Sequence, residues 1–254
     1  MKTIIKEKFQ IKPENSILIE GLPGLGMVGK IATRYLVKQL KAERFALLYS
    51  PHFPYYVIVN KKGNTRLLRG EFHYWKNTTG NDLIFFTGDS QAQTIEGQYE
   101  IAETILDFAK KHKVEIIVTL GGYRKEASET PKVIATATDA EILDKALKAD
   151  AYPSPPGNPI VGTAGLLVGM AKFKDIPALC LLGETRGYLP DPKAAKSILT
   201  VLQKMLKIDI NLEGLDKEIA KSDKILEKMR QIEARRETYA RKMRKSEGKT
   251  TYIS

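Results

Sequence analysis

Short apolar runs alternate with helix-spaced apolar positions from residue 2 to residue 207. Residues 16–20 (SILIE) form a continuous apolar run of strand length, and residues 45–49, 83–87, 114–120 and 176–182 repeat the type. Val28, Ile31, Ala32, Tyr35, Leu36 and Leu40 recur at three- and four-residue steps and predict a helix over 27–40. Ile95, Tyr99, Ala102, Ile105, Leu106 and Ala109 predict another over 94–111. Further helices are expected over 139–148, 161–173 and 192–207, the last capped by Asp191 with Pro192 at its first position. Residues 2–10 and 133–138 complete the strands of the body. The alternating segments 55–60, 65–69 and 71–77, turned at Lys61–Asn64, predict an antiparallel insertion. The fold class is therefore α/β, a mostly parallel sheet with helices on both faces.

Two stretches carry glycine in unusual density. Residues 21–29 (GLPGLGMVG) link the strand 16–20 to the first helix. Four glycines, Gly21, Gly24, Gly26 and Gly29, imply a tight turn with no room for Cβ atoms. Gly24, Gly26 and Gly29 spell GxGxxG, a dinucleotide fingerprint. However, the next strand runs into Ser50, Pro51 and His52 where a ribose-binding acid belongs, and Glu43 precedes that strand. The loop is read as a structural strand-to-helix turn. Gly162, Gly165 and Gly169 stud the helix 161–173 and suggest a flat face against a neighbour; the proline-rich 152–159 before it is an irregular loop.

From Leu215 onward the pattern changes. Leu215, Ile219, Leu226, Met229, Ile232, Tyr239 and Met243 lie at helical steps amid dense charge, predicting a long amphipathic helix. Three regions follow: a core of residues 1–208, a charged helical extension 209–249 and a tail 250–254. Of the net charge of +11, the stretch 214–249 supplies +5, with 12 Lys/Arg against 7 Asp/Glu. Basicity thus belongs more to the appendage than to the core. Acids interspersed there, at Glu233, Glu237 and Glu247, favour a solvated helix face over a nucleic-acid contact.

Composition excludes other classes. The single cysteine, Cys180, sits in an apolar run and has no disulfide partner in the chain. The apolar run 160–171 is too short to span a bilayer, and the N-terminus lacks a signal-peptide core, so a soluble, cytoplasmic protein is expected. The histidines His52, His73 and His112 have no carboxylate or cysteine at ligand spacing, so no metal is expected. Ser90, in GDSQA between a strand and a helix, lacks a downstream triad histidine within reach and is read as capping local backbone. No catalytic residues and no cofactor are assigned.

Five motifs, GLPGLGMVGK, the strand at 83–91 leaving in TGDSQ, LGGY at 120–123, IVGTAGLLVGM at 160–170 and DPKAAKSILTVL at 191–202, occur together in this order. Over residues 16–207 the chain resembles the proteasome-assembling chaperone family, most closely its archaeal homologues. The resemblance implies a phosphorylase-like α/β fold without catalysis and homo-oligomerisation, as tetramer or pentamer. It also implies binding to proteasome α-subunits or the α-ring, as assembly chaperone or activator. Family members dock through a C-terminal hydrophobic–Tyr–any tail. Here Tyr252, Ile253 and Ser254 end the chain in a shifted register, with Thr251 where the hydrophobic residue belongs. The alternative is a small-molecule or nucleotide-binding enzyme using the loop 21–29.

Overall fold

The computed structural model describes residues 2–125, 130–225 and 227. The chain divides into two compact units, Met1–Leu212 and Glu213–Ser254. In the second, residues 213–225 are helical. The rest of the expected amphipathic helix and the tail 250–254, with Tyr252, Ile253 and Ser254, lie outside the described residues.

The first unit is built on strands β1 (Ile4–Glu7), β2 (Ser16–Glu20), β3 (Glu43–Tyr49), β4 (Val57–Val59), β5 (Thr65–Leu67), β6 (Gly70–Trp75), β7 (Leu83–Gly88), β8 (Val114–Arg124), β9 (Val133–Ala137), β10 (Tyr152–Pro153) and β11 (Ala178–Thr185). Its helices are α1 (Val28–Gln39), α2 (Ile95–Lys111), α3 (Ala140–Lys148), α4 (Thr163–Ala171) and α5 (Pro192–Leu206). Nine strands make one sheet in the order β1-β3-β6-β7-β2-β8-β11-β9-β10, while β4 and β5 pair separately.

The expected α/β architecture is present, with one refinement. The central strands β7, β2, β8 and β11 are parallel, but β1, β3 and β6 join one side antiparallel, and β9 pairs antiparallel with β11. Buried apolar runs mark central strands well, but direction depends on the connections. The tight entry into β7 from β6 gives antiparallel pairing where a helical crossover gives parallel. Of the alternating insertion, residues 70–75 are recruited into the main sheet and only 57–59 and 65–67 form the separate ribbon. Residues 121–123, expected as a turn after the strand, continue β8, in register with Leu182–Glu184 of β11.

One face of the sheet packs on α2 and α4, burying Leu18, Phe45, Phe72, Phe86 and Ile117 with Ile101, Ile105, Phe108 and Leu167. Phe72 sits 4.4 Å, centroid to centroid, from Phe108 and 4.5 Å from Phe86. The glycines of α4 do not make a flat face: Gly165 abuts the Ile160 carbonyl of its own approach loop and Gly169 faces open space.

Helix ends follow local chemistry. Thr94 caps α2 by accepting from the Gly97 amide, and Asp139 caps α3 by accepting from that of Ile142. Asp191 caps α5 with Pro192 behind it, its Oδ1 accepting from the Ala194 amide at 2.9 Å and its Oδ2 from the Thr185 hydroxyl at 2.7 Å. Asp191→Ala loses both and is expected to cost about 1–2 kcal/mol, measured as a shift in the urea midpoint with unchanged slope.

Candidate functional site

At the carboxyl end of β2 the chain turns through Gly21–Gly29 into α1. The Gly21 amide donates to the Phe86 carbonyl (2.9 Å) and the Thr87 hydroxyl donates to the Gly21 carbonyl (2.8 Å), tying the loop to β7. A Cβ at Gly29 would come closer than 3.0 Å to the Leu120 carbonyl, and one at Gly21 equally close to Thr33 and the Gly29 carbonyl. α1 thus rests directly on β8 and its own preceding strand. Gly26 has φ +59°, which favours glycine.

Two amides of the loop that could face a pyrophosphate donate within the fold instead. Gly26 donates to the Gly187 carbonyl (3.4 Å) and Met27 to that of Gly24 (2.9 Å), while the Asp191 amide donates to Gly26 (2.8 Å). Gly122 on β8 abuts the Leu25 carbonyl. The strand that would carry a ribose acid, β3, is separated from β2 by β7 and β6. Dinucleotide sites need those two strands adjacent.

Side chains from three loops stitch this rim together. Gln91 Nε2 donates to the Pro23 carbonyl (2.7 Å), and its Oε1 accepts from the Thr163 amide (3.1 Å) at the start of α4. The Thr163 hydroxyl donates to Gln98 Oε1 (2.8 Å), and Gln98 Nε2 donates to the Ala92 carbonyl (2.7 Å). Gln91, Gln98, Thr163, Thr185 and Asp191 carry this network. Sequence reading singled out Asp191 and the TGDSQ motif, but nothing local pairs Gln91 with Thr163, 72 residues away. The Ser90 hydroxyl donates to the Gln91 carbonyl at 2.9 Å. His112 lies at the far end of α2, beside Glu7.

Beneath the rim, Glu20, Thr119 and Cys180 stand in register on β2, β8 and β11, all buried. Burial pushes the Glu20 carboxyl up to about 8, against the opposing hydrogen bond from the Leu22 amide at 3.0 Å, so the acid is protonated at neutral pH. Burial likewise pushes the Cys180 thiol up to about 12, the setting of an unreactive thiol. Each histidine meets a carboxylate: His52 with Glu100 (3.2 Å) and His112 with Glu7 (3.7 Å) across long sequence separations, and His73 with Glu71 (3.8 Å) two residues away on β6. Among the described residues no group of three or more His, Cys, Asp or Glu is placed to hold a metal. No helix among them is long and apolar enough to cross a membrane.

The loops and helix ends at this rim expose large apolar side chains: Val161 is 86% exposed, Tyr188 78% and Ile95 76%. Arg124 lies 5.3 Å from the Tyr188 ring centroid, and Lys132 4.7 Å from that of Tyr152. Aromatic and aliphatic groups are thus presented to solvent on loops held by hydrogen bonds.

Residues 18–230 match the PAC2 family. The chain belongs to the PAC2 family. Its five sequence motifs fall on the rim just described: the loop 21–29, the exit of β7, the end of β8, the entry to α4 and the start of α5. An uncharacterised protein from Methanocaldococcus jannaschii is 36% identical over 235 residues, covering 92% of this chain and 90% of that protein. The crystal structure of Pyrococcus furiosus PbaB, an archaeal proteasome activator, is similar with a TM-score of 0.86 and 36% identity. It covers 90% of this chain and 99% of PbaB. P. furiosus PbaA, an archaeal homologue of proteasome-assembly chaperone, gives a TM-score of 0.73 and 28% identity, covering 98% of this chain and 99% of PbaA.

Proposed function

We propose that this PAC2 protein is a non-enzymatic adaptor for the proteasome, which oligomerises and binds proteasome α-subunits or the α-ring. The observation that carries the reading is the likeness to PbaB across nearly the whole of both chains. PbaB exceeds PbaA in both identity and TM-score, which favours an activator role over an assembly role. Two features of the rim support a protein partner: the Gly26 and Met27 amides donate within the fold, and the large apolar side chains of Val161, Tyr188 and Ile95 are exposed. A homo-oligomer presents several copies of each docking element, and weak contacts then sum through effective concentration, raising avidity ~10²–10⁴-fold.

Tyr252, Ile253 and Ser254 serve as the docking tail in this proposal, with Tyr252 and Ile253 as its apolar members. Deleting the three residues is expected to lower retention on immobilised archaeal α-rings at least ~10-fold while leaving oligomer mass unchanged. Undiminished retention of the truncated protein rejects the tail's role; loss of the oligomer mass assigns it to self-association instead.

A further inference from the structure

The face of the sheet opposite α2 is apolar where α1 packs, but its β1-β3-β6 wing bears ionised side chains. Register places them together. Lys6 pairs with Leu47 and Leu47 with Glu71; Arg44 pairs with His73, and paired residues share a face. Lys30 and Arg34, one turn apart on α1, face the same cluster, since Glu71 and Asp89 act on Lys30 and Arg34 acts on His73. Six cations gather here, Lys6, Lys30, Arg34, Arg44, Arg66 and Arg69, against the carboxylates Glu71 and Asp89. Burial pushes His73 down to about 4, so it adds no charge at neutral pH.

The carboxylates are already spent. Glu71 Oε1 accepts from Arg44 at 2.9 Å and from Arg69 at 2.6 Å, and Asp89 holds Arg66 in a two-pronged pair at 2.5 and 3.0 Å. Lys6, Lys30 and Arg34 have no carboxylate partner among the described residues. Burial, then repulsion from Arg34, lowers the Lys30 ammonium below its ordinary range, against the attraction of Asp89 and Glu71. An anion laid across the wing relieves that repulsion and meets three unpaired charges.

We propose that this wing is a docking surface for an acidic segment of a partner protein, rich in Asp and Glu. Three observations favour that occupant. Glu71 and Asp89 show that the arginines here accept carboxylates in paired geometry. Net positive charge, +5 on the stretch 214–249 and +11 on the whole chain, disfavours this chain's own segments as the occupant of the wing. A nucleic-acid duplex engages ~6–10 phosphates, whereas three free cations flanked by two fixed carboxylates offer a short, mixed surface. This inference does not depend on the proteasome reading, although the wing adjoins the rim at Lys30 and Asp89.

The test is fluorescence anisotropy of a fluorescein-labelled oligoglutamate peptide with the full chain at low ionic strength. The double variant Lys30→Glu/Arg34→Glu is expected to bind roughly tenfold more weakly or worse, and Lys110→Glu, a remote exposed change on α2, within ~2-fold of wild type. Lys6→Glu, on the edge strand, serves as a second variant should the double change unfold the protein, and is expected to weaken binding ~3-fold. Equal affinity of wild type and wing variants, or no binding by wild type, overturns the proposal. So does a labelled DNA duplex that binds more tightly than the peptide and loses the same affinity in the variants.

Discussion

Gly29→Ala is expected to destabilise the protein by about 3 kcal/mol or more, among the largest effects of any single added methyl group. The new Cβ meets the Leu120 carbonyl, a backbone atom in the middle of the sheet that no rotamer change can move aside. α1 must lift from β8, and its buried face, Val28, Ala32 and Leu36, loses contact with the strands below. Gly24→Ala is the matched control. Its added Cβ finds only the Gln91 side chain at 3.6 Å, an ordinary contact, and Gly24 is extended at φ −159°. Urea unfolding is expected to leave Gly24→Ala within ~0.5 kcal/mol of wild type while Gly29→Ala unfolds far earlier or fails to fold. Similar midpoints for the two would mean that α1 does not depend on contact with the Leu120 backbone.

The second large effect is a pH dependence carried by Glu20. Its folded value of about 8 lies above the ordinary 4.5, so the folded state holds a proton that the unfolded chain releases. Below pH 4.5 both states are protonated and the group is neutral to stability. As pH rises from 4.5 to 8 the unfolded state gains a solvated carboxylate that the folded state cannot, and stability falls; above 8 the loss is complete. At 1.36 kcal/mol per pH unit the ceiling is about 5 kcal/mol, reduced by any relaxation around the group. Glu20→Gln keeps an acceptor for the Leu22 amide and removes the titration. Its unfolding free energy is expected to exceed that of wild type by a margin that is small at pH 5 and grows toward pH 8. Parallel stability curves for the two proteins would refute the assignment.

The sheet's centre was legible because SILIE, LIFFT and the run 114–120 are apolar on both sides, as strands covered by helices must be. The wings were less so. Lys2 to Gln10 shrinks to Ile4–Glu7 because an edge strand half in water leaves little apolar record, and the split of 55–77 between ribbon and sheet depends on which partner each strand finds. Pattern alone locates strands but not their direction, so the antiparallel β9 beside β11 could not be read.

At the rim, the glycine turn and the Asp191–Pro192 cap were visible as local chemistry, since adjacent residues act on one another. Gln91 with Thr163, Arg44 with Glu71 and His52 with Glu100 are long-range meetings of ordinary polar residues, invisible until the strands are ordered. The GxGxxG string shows the converse. A local pattern suited to phosphate is turned to another use when two of its amides donate within the fold and the second strand is placed elsewhere.

Native mass spectrometry of the full chain, alone and mixed with purified archaeal proteasome α-rings, tests the central claim most directly. The protein is expected to appear as a discrete homo-oligomer and, in the mixture, as a complex whose mass equals one α-ring plus that oligomer. A monomer that leaves the α-ring mass unchanged across the concentration range would contradict the account.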